Sequence, residues 1–344
     1  VIRLFQPNVG WREAWAVARQ VRSGWIGPGK KVRQFEQEFA DAVGRKHALA
    51  VTSGTTGLLL SLWASNLKSG GTVVFPAYTF LAGANAAKLA GYGVELCDVA
   101  EDGCLDLSPF RRSVLPGVVM FVGHNGQGSA LTARQWCDSR ECLCIEDACQ
   151  SLGCPEAGSH GHMAVFSFSP QKLITTGQGG MVVTDDDELY DRLDAFRDHG
   201  GADWRSSNWH RRVGGNFRMT DIQAAMGLTQ LRRLPKLVKR RRRILDWYVY
   251  HGLSSIPAWN TDAWCAAYRT RRPGDVIEAL QRCGVDARKL YRAVHQHGPY
   301  AAEDRLFPVA TKLAHELIYL PSHLSVTRQE VKRICELVRQ FEGA

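Results

Sequence analysis

Over the first two thirds of the chain, short apolar runs alternate with stretches of helical spacing. The runs His47–Thr52, Thr72–Phe75, Val94–Cys97, Val118–Val122, Leu143–Asp147, Ala164–Phe168 and Gly180–Thr184 are four to six residues long. Their length and the turn or capping residues that bound them are those of buried strands. Between them, Lys31–Val43 places Phe35, Phe39 and Val43 on one stripe and reads as an amphipathic helix. Leu58–Ser65, Phe80–Leu89 and Asp186–Arg197 read as helices too, as does the stretch opened by the capping box Thr132-Ala-Arg-Gln135. Residues before Lys31 start irregularly, and Ser23–Gly29 is a glycine-rich loop able to shape a pocket. Strands alternating with helices predict an α/β fold: a mostly parallel sheet covered on both faces.

The pattern changes after Gly201. Residues 201–219 are loop-like, and a second capping box, Thr220-Asp-Ile-Gln223, opens a helix through Leu231. Pro235 interrupts it, and a long helix follows to Tyr250. Residues 251–344 read as a smaller α/β unit, with helices near Gly274–Cys283, Ala287–His295 and Arg328–Phe341. Thr327 and Glu330 form a third capping box. The expected division is a large domain over 1–235 and a smaller one over 236–344, entered by the long helix.

Composition narrows this only a little. A chain of 344 residues suits two unequal domains, and 45% hydrophobic with 22% charged residues is ordinary for a globular protein. No apolar run approaches the roughly 18 residues of a membrane span. The first residues lack the basic-then-apolar pattern of a secretion signal, so a cytoplasmic location is expected. Ten cysteines are scattered, several in apolar runs, which predicts reduced, buried thiols. Cys142, Cys144, Cys149 and Cys154 do not fit a zinc spacing, and no metal site is expected. Net charge is +9, much of it in Arg232–Arg243. Such a run is either a nucleic-acid surface or a solvated helix face. Leu234, Leu237, Val238, Ile244 and Leu245 recur near helical spacing inside it and favour the helix face.

Candidate chemistry gathers at four strand ends, where open parallel sheets bind ligands. Ser53-Gly-Thr-Thr-Gly57 is either an anion site at a helix N-terminus or a plain hydroxyl cap. Phe80 can stack on a planar ring or simply fill core. Asp147, with Gln150, ends an apolar strand, where a carboxylate is costly unless it meets a cation or caps a helix. Lys172, near Ser167, lies between an apolar strand and a glycine cluster. A lysine held there is a candidate for a depressed pKa and Schiff-base chemistry; on a surface it would merely be solvated.

In chain order these pieces are Ser53-Gly-Thr, Pro76-x-x-Thr-Phe80, Ile145-Glu-Asp-Ala-x-Gln150, Phe166-Ser-Phe-x-x-x-Lys172-x-x-Thr-x-Gly-x-Gly-Gly180 and Asn216-x-Arg-Met-x-x-x-Gln-Ala-Ala225. Together they resemble the DegT/DnrJ/EryC1/StrS aminotransferases, fold-type I enzymes dependent on pyridoxal 5'-phosphate that mostly aminate keto-sugar nucleotides. The resemblance implies a seven-stranded sheet and a homodimer with shared active sites. It implies that Lys172 forms the internal aldimine and carries the proton between cofactor and substrate carbons. Asp147 would pair with the pyridine nitrogen, Gln150 with the phenolic oxygen, and Phe80 would stack on the ring. Gly54, Thr55, Thr56 and Ser167 would hold the phosphate. Asn216 would reach the phosphate of the neighbouring subunit, with Arg218 in the same loop. Glutamate would be the donor, converting the cofactor to pyridoxamine 5'-phosphate before a keto sugar takes the amine, in two-stage ping-pong kinetics. Where relatives carry a histidine after the fourth strand, this chain has Gly123 and then His124, and Gly161-His162 replaces a Gly-Asp pair. Other outcomes on the scaffold are a cyclitol acceptor or a pyridoxal-phosphate enzyme that is not an aminotransferase. A non-enzymatic or nucleic-acid-binding descendant is disfavoured by the intact Lys172, Asp147 and Gln150.

Overall fold

A computed structural model describes residues 1–68, 70–108, 117–128, 130–201, 210, 212–253 and 263–342. All seven expected strands form: β1 (His47–Val51), β2 (Thr72–Pro76), β3 (Gly93–Cys97), β4 (Val118–Val122), β5 (Leu143–Asp147), β6 (Met163–Ser167) and β7 (Gly180–Thr184). They make one sheet in the order β1-β7-β6-β5-β4-β2-β3. β2 to β6 run parallel, while β7 is antiparallel to both neighbours, β1 and β6. The expected mixed, mostly parallel sheet is therefore present.

Both faces are buried, and the period of two decides which residue serves which face. Leu49 and Val51 of β1 join one apolar cluster, while Ala48 and Ala50 join the other. Helices supply the covering layers: α1 (Trp11–Arg22), α2 (Lys30–Val43), α3 (Gly54–Ala64), α4 (Ala82–Leu89), α5 (Ala130–Asp138), α6 (Asp187–Arg197) and α7 (Asp221–Leu231). The first cluster takes Leu58, Leu60 and Leu62 of α3 with Leu189 and Leu193 of α6. The second takes Phe35 and Phe39 of α2 with Ala224 and Leu228 of α7. The Thr220 capping box forms as read, its hydroxyl accepting from Gln223 N at 3.3 Å.

The remaining elements are α8 (Leu234–Tyr250), β8 (Ala266–Arg269), α9 (Pro273–Arg282), α10 (Pro308–Glu316), β9 (Leu317–Leu320) and α11 (Arg328–Glu342). β8 and β9 pair antiparallel, and Ile244, Leu245 and Tyr248 of α8 pack with Ile318, Ile334 and Val338. Ile2 joins the same cluster through a parallel bridge to Val285. Thr327 and Glu330 close the third capping box, with Glu330 Oε2 accepting from Thr327 N at 2.8 Å. Among the described residues no helix is long and apolar enough to cross a membrane. All ten cysteines are free, and only Cys149, Cys154 and Cys283 are less than fully buried.

Four expectations need correction. Residues 11–22 are helical, not irregular. α5 begins at Ala130, so Thr132 sits inside the first turn and is not its cap. Ala287–His295 is not a helix. Its neighbourhood exchanges backbone hydrogen bonds with Ile2 and Tyr319, and a 3₁₀ turn covers only Val294–Gln296. The basic run does lie on a helix with Leu237, Ile244 and Leu245 inward, but Arg241 is buried with them. Arg232 and Arg233 are spent on Glu38 and Glu13, and Arg240 donates to the carbonyls of Leu324 and Val326.

Candidate active site

The strand ends open into a cavity of about 530 Å³. Ser53, Gly54, Thr55, Asp147, Gln150 and Lys172 line it, with Ser167 and Phe80. Apart from Phe80, which follows β2, these residues come from the ends of β1, β5 and β6 and the stretches just after them.

At the β1 end, Ser53 caps α3, its hydroxyl accepting from Thr56 N at 3.1 Å. An eleven-residue helix begins there, so its free N–H groups and dipole favour an anion. Thr56 turns away: its hydroxyl lies 2.9 Å from Ser53 Oγ and 3.1 Å from Thr52 Oγ1, and it does not line the cavity. Gly54 is required by close approach. A Cβ there would fall 2.8 Å from Cys149 Sγ and 3.0 Å from Ser167 Cβ. Gly180 is required likewise, because a Cβ would meet the Ser53 carbonyl at 2.6 Å.

Asp147 ends β5, and its Oδ1 accepts from Cys149 N at 3.0 Å. Burial raises its pKa, opposed by that hydrogen bonding and by the charge of Lys172. For Lys172 burial acts the other way and lowers the pKa, with Asp147 among the groups opposing it. The lysine Nζ lies 4.3 Å from the centre of the Trp264 ring. Trp264 is itself fixed: its Nε1 donates to Gln171 O at 3.0 Å, and Phe5 stacks on it at 5.3 Å. Gln150 is oriented from both ends. Its Oε1 accepts from Asn125 N at 2.7 Å, and its Nε2 donates to Tyr291 Oη at 3.4 Å.

Asn125 explains why the two parts of the cavity keep register. It follows β4 with φ of 51°, a left-handed conformation that asparagine tolerates. Its Nδ2 donates to Cys265 O at 2.9 Å and its Oδ1 accepts from Cys265 N at 2.8 Å. Its carbonyl takes the N–H of Trp264 at 3.0 Å. One residue therefore holds both Gln150 and Trp264.

Phe80 is 58% exposed on the cavity wall, 6.2 Å from Tyr291, which removes the reading of plain core. Trp264, Tyr291 and Asn125 were not among the candidates; Tyr291 falls in the segment expected to be helical. His124 does not line the cavity. It is buried against Tyr319 Oη at 3.1 Å, and burial alone lowers its pKa to about 3. Asn216 also lies outside. It is exposed, and its Oδ1 accepts from Arg218 Nε at 3.0 Å, while Arg218 pairs with Asp198 at 3.1 Å. Arg218 lines a separate groove of about 570 Å³ with Trp25, Ile26 and Met219.

A buried carboxylate, a lysine with a lowered pKa and a helix N-terminus around one cavity define an anion-binding, carbonyl-handling enzyme. Comparison with known proteins makes this specific. The chain belongs to the DegT/DnrJ/EryC1/StrS aminotransferase family, whose signature matches residues 8–339. It is 30% identical to the GDP-perosamine synthase of Escherichia coli O157:H7, over 99% of this chain and 98% of that protein. It is 36% identical to the spore coat polysaccharide biosynthesis protein SpsC of Bacillus subtilis, over 97% of this chain and 95% of that protein. The structure of DesI in the presence of its TDP-sugar product superposes with a TM-score of 0.88, at 28% identity over 98% of this chain and 92% of that one. The protein is thus a member of a pyridoxal-phosphate-dependent family of sugar aminotransferases.

The residues present fit that cofactor. At the α3 N-terminus, Gly54 leaves open the space a Cβ would take beside Ser167, and Thr55 lines the same cavity, which suits a phosphate. Asp147 brings a carboxylate to the cavity floor, as a pyridinium nitrogen requires, and Lys172 brings an amine to the same space.

Proposed function

We propose that this protein transfers an amino group from an amino-acid donor, glutamate, to a keto sugar carried on a nucleotide, with pyridoxal 5'-phosphate held in the 530 Å³ cavity. The observation that carries the reading is the convergence of Lys172, Asp147 and the first turn of α3 on that one space. The relatives add the acceptor class: one bears the name GDP-perosamine synthase, and another was solved with a TDP-sugar product.

Ser53, Gly54, Thr55 and Ser167 hold the phosphate through N–H and hydroxyl groups. Asp147 would pair with the pyridine nitrogen, and Gln150, oriented by Asn125, would bond the phenolic oxygen. Phe80 and Tyr291 close the ring wall and exclude water. When bound, the cofactor supplies an electron sink for the carbon that gives up its proton. Lys172 Nζ takes that proton and returns it on the far side of the transfer. Burial favours this role, because it holds the amine in its neutral, basic form at a pH nearer to 7 than an exposed lysine allows.

The assembly is a homodimer in which Asn216 serves the neighbouring subunit's phosphate. Support for this is its position outside its own cavity and the exposed Trp25 (51%) and Ile26 (54%) along the groove that Arg218 lines. The test is the visible spectrum of the purified protein with pyridoxal phosphate, followed as glutamate and then a nucleotide-linked keto sugar are added. The bound-cofactor band should bleach with glutamate and return with the acceptor. A protein that develops no band contradicts the reading.

A further inference from the structure

A second, much smaller chamber of about 20 Å³ lies behind the main cavity. The two share Cys149, Gln150, Ser167, Lys172 and Trp264 as common walls. The chamber's own walls come from the loops after β5 and β6 (Leu152, Gly153, Leu173), from α8 (Val238, Arg241, Arg242) and from Ala263. Its volume is that of one water-sized atom. Its charge is unusual. Arg241 and Lys172 line it, and among the described residues no carboxylate does.

Arg241 is the anomaly. It is 8% exposed, its Nε is sealed from solvent with no hydrogen-bond partner, and among the described residues it forms no ion pair. The ionisable groups that act on it are the Cys265 and Cys154 thiols, and Cys265 is pushed up to about 11 by burial, so it stays neutral. His323, the imidazole coupled to Arg241, is only ever neutral or positive, and burial lowers its pKa. Arg232, Arg233 and Arg240 have partners in Glu38, Glu13 and main-chain carbonyls. An arginine remains charged at any ordinary pH, and an uncompensated buried charge is strongly destabilising. Such a side chain, on the wall of a chamber with no carboxylate among its described lining residues, is built for an anion that arrives with a ligand.

We propose that Arg241 and this chamber form a carboxylate subsite, occupied by one carboxylate oxygen of the amino donor. The assignment rests on the amino-transfer reading above and adds to it a reason why the donor is an amino acid rather than a simple amine. Because Lys172 and Trp264 partition the two spaces, a donor presenting its amine beside Lys172 has its carboxylate at the boundary of the chamber. The sugar acceptor has no such group, so donor and acceptor use different parts of one cavity.

The test is thermal unfolding of the full chain in chloride-free buffer, with and without pyridoxal phosphate, titrated with glutarate, glutaramide or chloride. Glutarate should raise the wild-type midpoint saturably by mass action, and glutaramide should not. Arg241→Met should unfold at or above the wild-type temperature without ligand, because it removes an unpaired buried charge, and should lose the glutarate response. Arg241→Lys keeps the charge but not the planar fork, and should weaken glutarate binding on the order of tenfold. A glutarate response that survives in both variants overturns the proposal, as does an Arg241→Met protein that unfolds well below wild type. Chloride protecting as well as glutarate reduces the site to a halide pocket and overturns the donor assignment. The cofactor band is recorded in the same samples: a band without a glutarate response sinks the subsite alone, and a response without a band sinks the cofactor reading alone.

Discussion

The floor and the wall of the main cavity are built differently. The floor consists of polar groups at strand ends, each tied to nearby backbone: Asp147 to Cys149 N, Ser53 to Thr56 N, Gln150 to Asn125 N. The wall is aromatic: Phe5, Phe80, Trp264 and Tyr291, drawn from distant parts of the chain. A floor of this kind fixes charges within tenths of an ångström, which is what bond-making chemistry needs. An aromatic wall fixes shape and excludes water while leaving room for change in what it admits. The lesson is a division of labour: on the proposed reading, the floor serves the reaction and the wall shapes what the cavity admits.

Substitutions sharpen that comparison. The largest effect belongs to the floor. Asp147→Asn keeps shape and hydrogen bonding but removes the charge, and should lower turnover by about 10²–10³-fold while the protein still takes up cofactor. Equal turnover in the variant, measured under saturating substrates, would place the reaction elsewhere.

Next comes the tie between the two regions. Asn125→Ala deletes both side-chain bonds to Cys265 and leaves that buried backbone N–H and carbonyl unpaired, at a cost of about 2–4 kcal/mol. The left-handed backbone adds about 1 kcal/mol for alanine. Denaturant unfolding should register the loss, and rotation of Trp264 should appear as a change in indole fluorescence. If stability falls and the fluorescence is unchanged, the asparagine supports the fold without aligning the wall.

The smallest effect is in the wall itself. In the cofactor-free protein the ammonium form of Lys172 rests near the indole of Trp264. Trp264→Leu removes that stabilisation, so the lysine pKa, already lowered by burial, should fall further. The neutral amine is the form that captures pyridoxal phosphate, so the half-maximal pH of capture should move down by the same amount. Trp264→Phe should move it less. An unmoved profile in the leucine variant would make the ring a passive filler.

The floor was legible because its signals are local: an apolar strand followed within a few residues by a capping serine, an aspartate or a lysine. The wall was not. Asn125 and Cys265 meet across 140 residues, and nothing in Ala263–Ala267 announces that Trp264 faces Lys172. The missed α1 has a physical reason as well. Trp11 is 82% and Trp15 59% exposed, and Glu13 is its one buried residue, so it carries no inward apolar stripe to read. Ala287–His295 had helical composition, but long-range pairing of Arg288 with Tyr319 and of Val294 N with the Ala77 carbonyl took precedence. α10 was findable, since Pro308 stands at its first turn, where proline is favoured. Arg241 was hidden in plain view: a run of four arginines gives no hint which one turns inward.

The central claim is that the amine of Lys172 is the group that holds the cofactor. Its most direct test is borohydride reduction of the cofactor-loaded protein, followed by proteolysis and mass spectrometry. The account predicts one pyridoxyl adduct per chain, on the peptide carrying Lys172, and none in Lys172→Ala. An adduct on another lysine, or undiminished labelling of the Lys172→Ala protein, would contradict it.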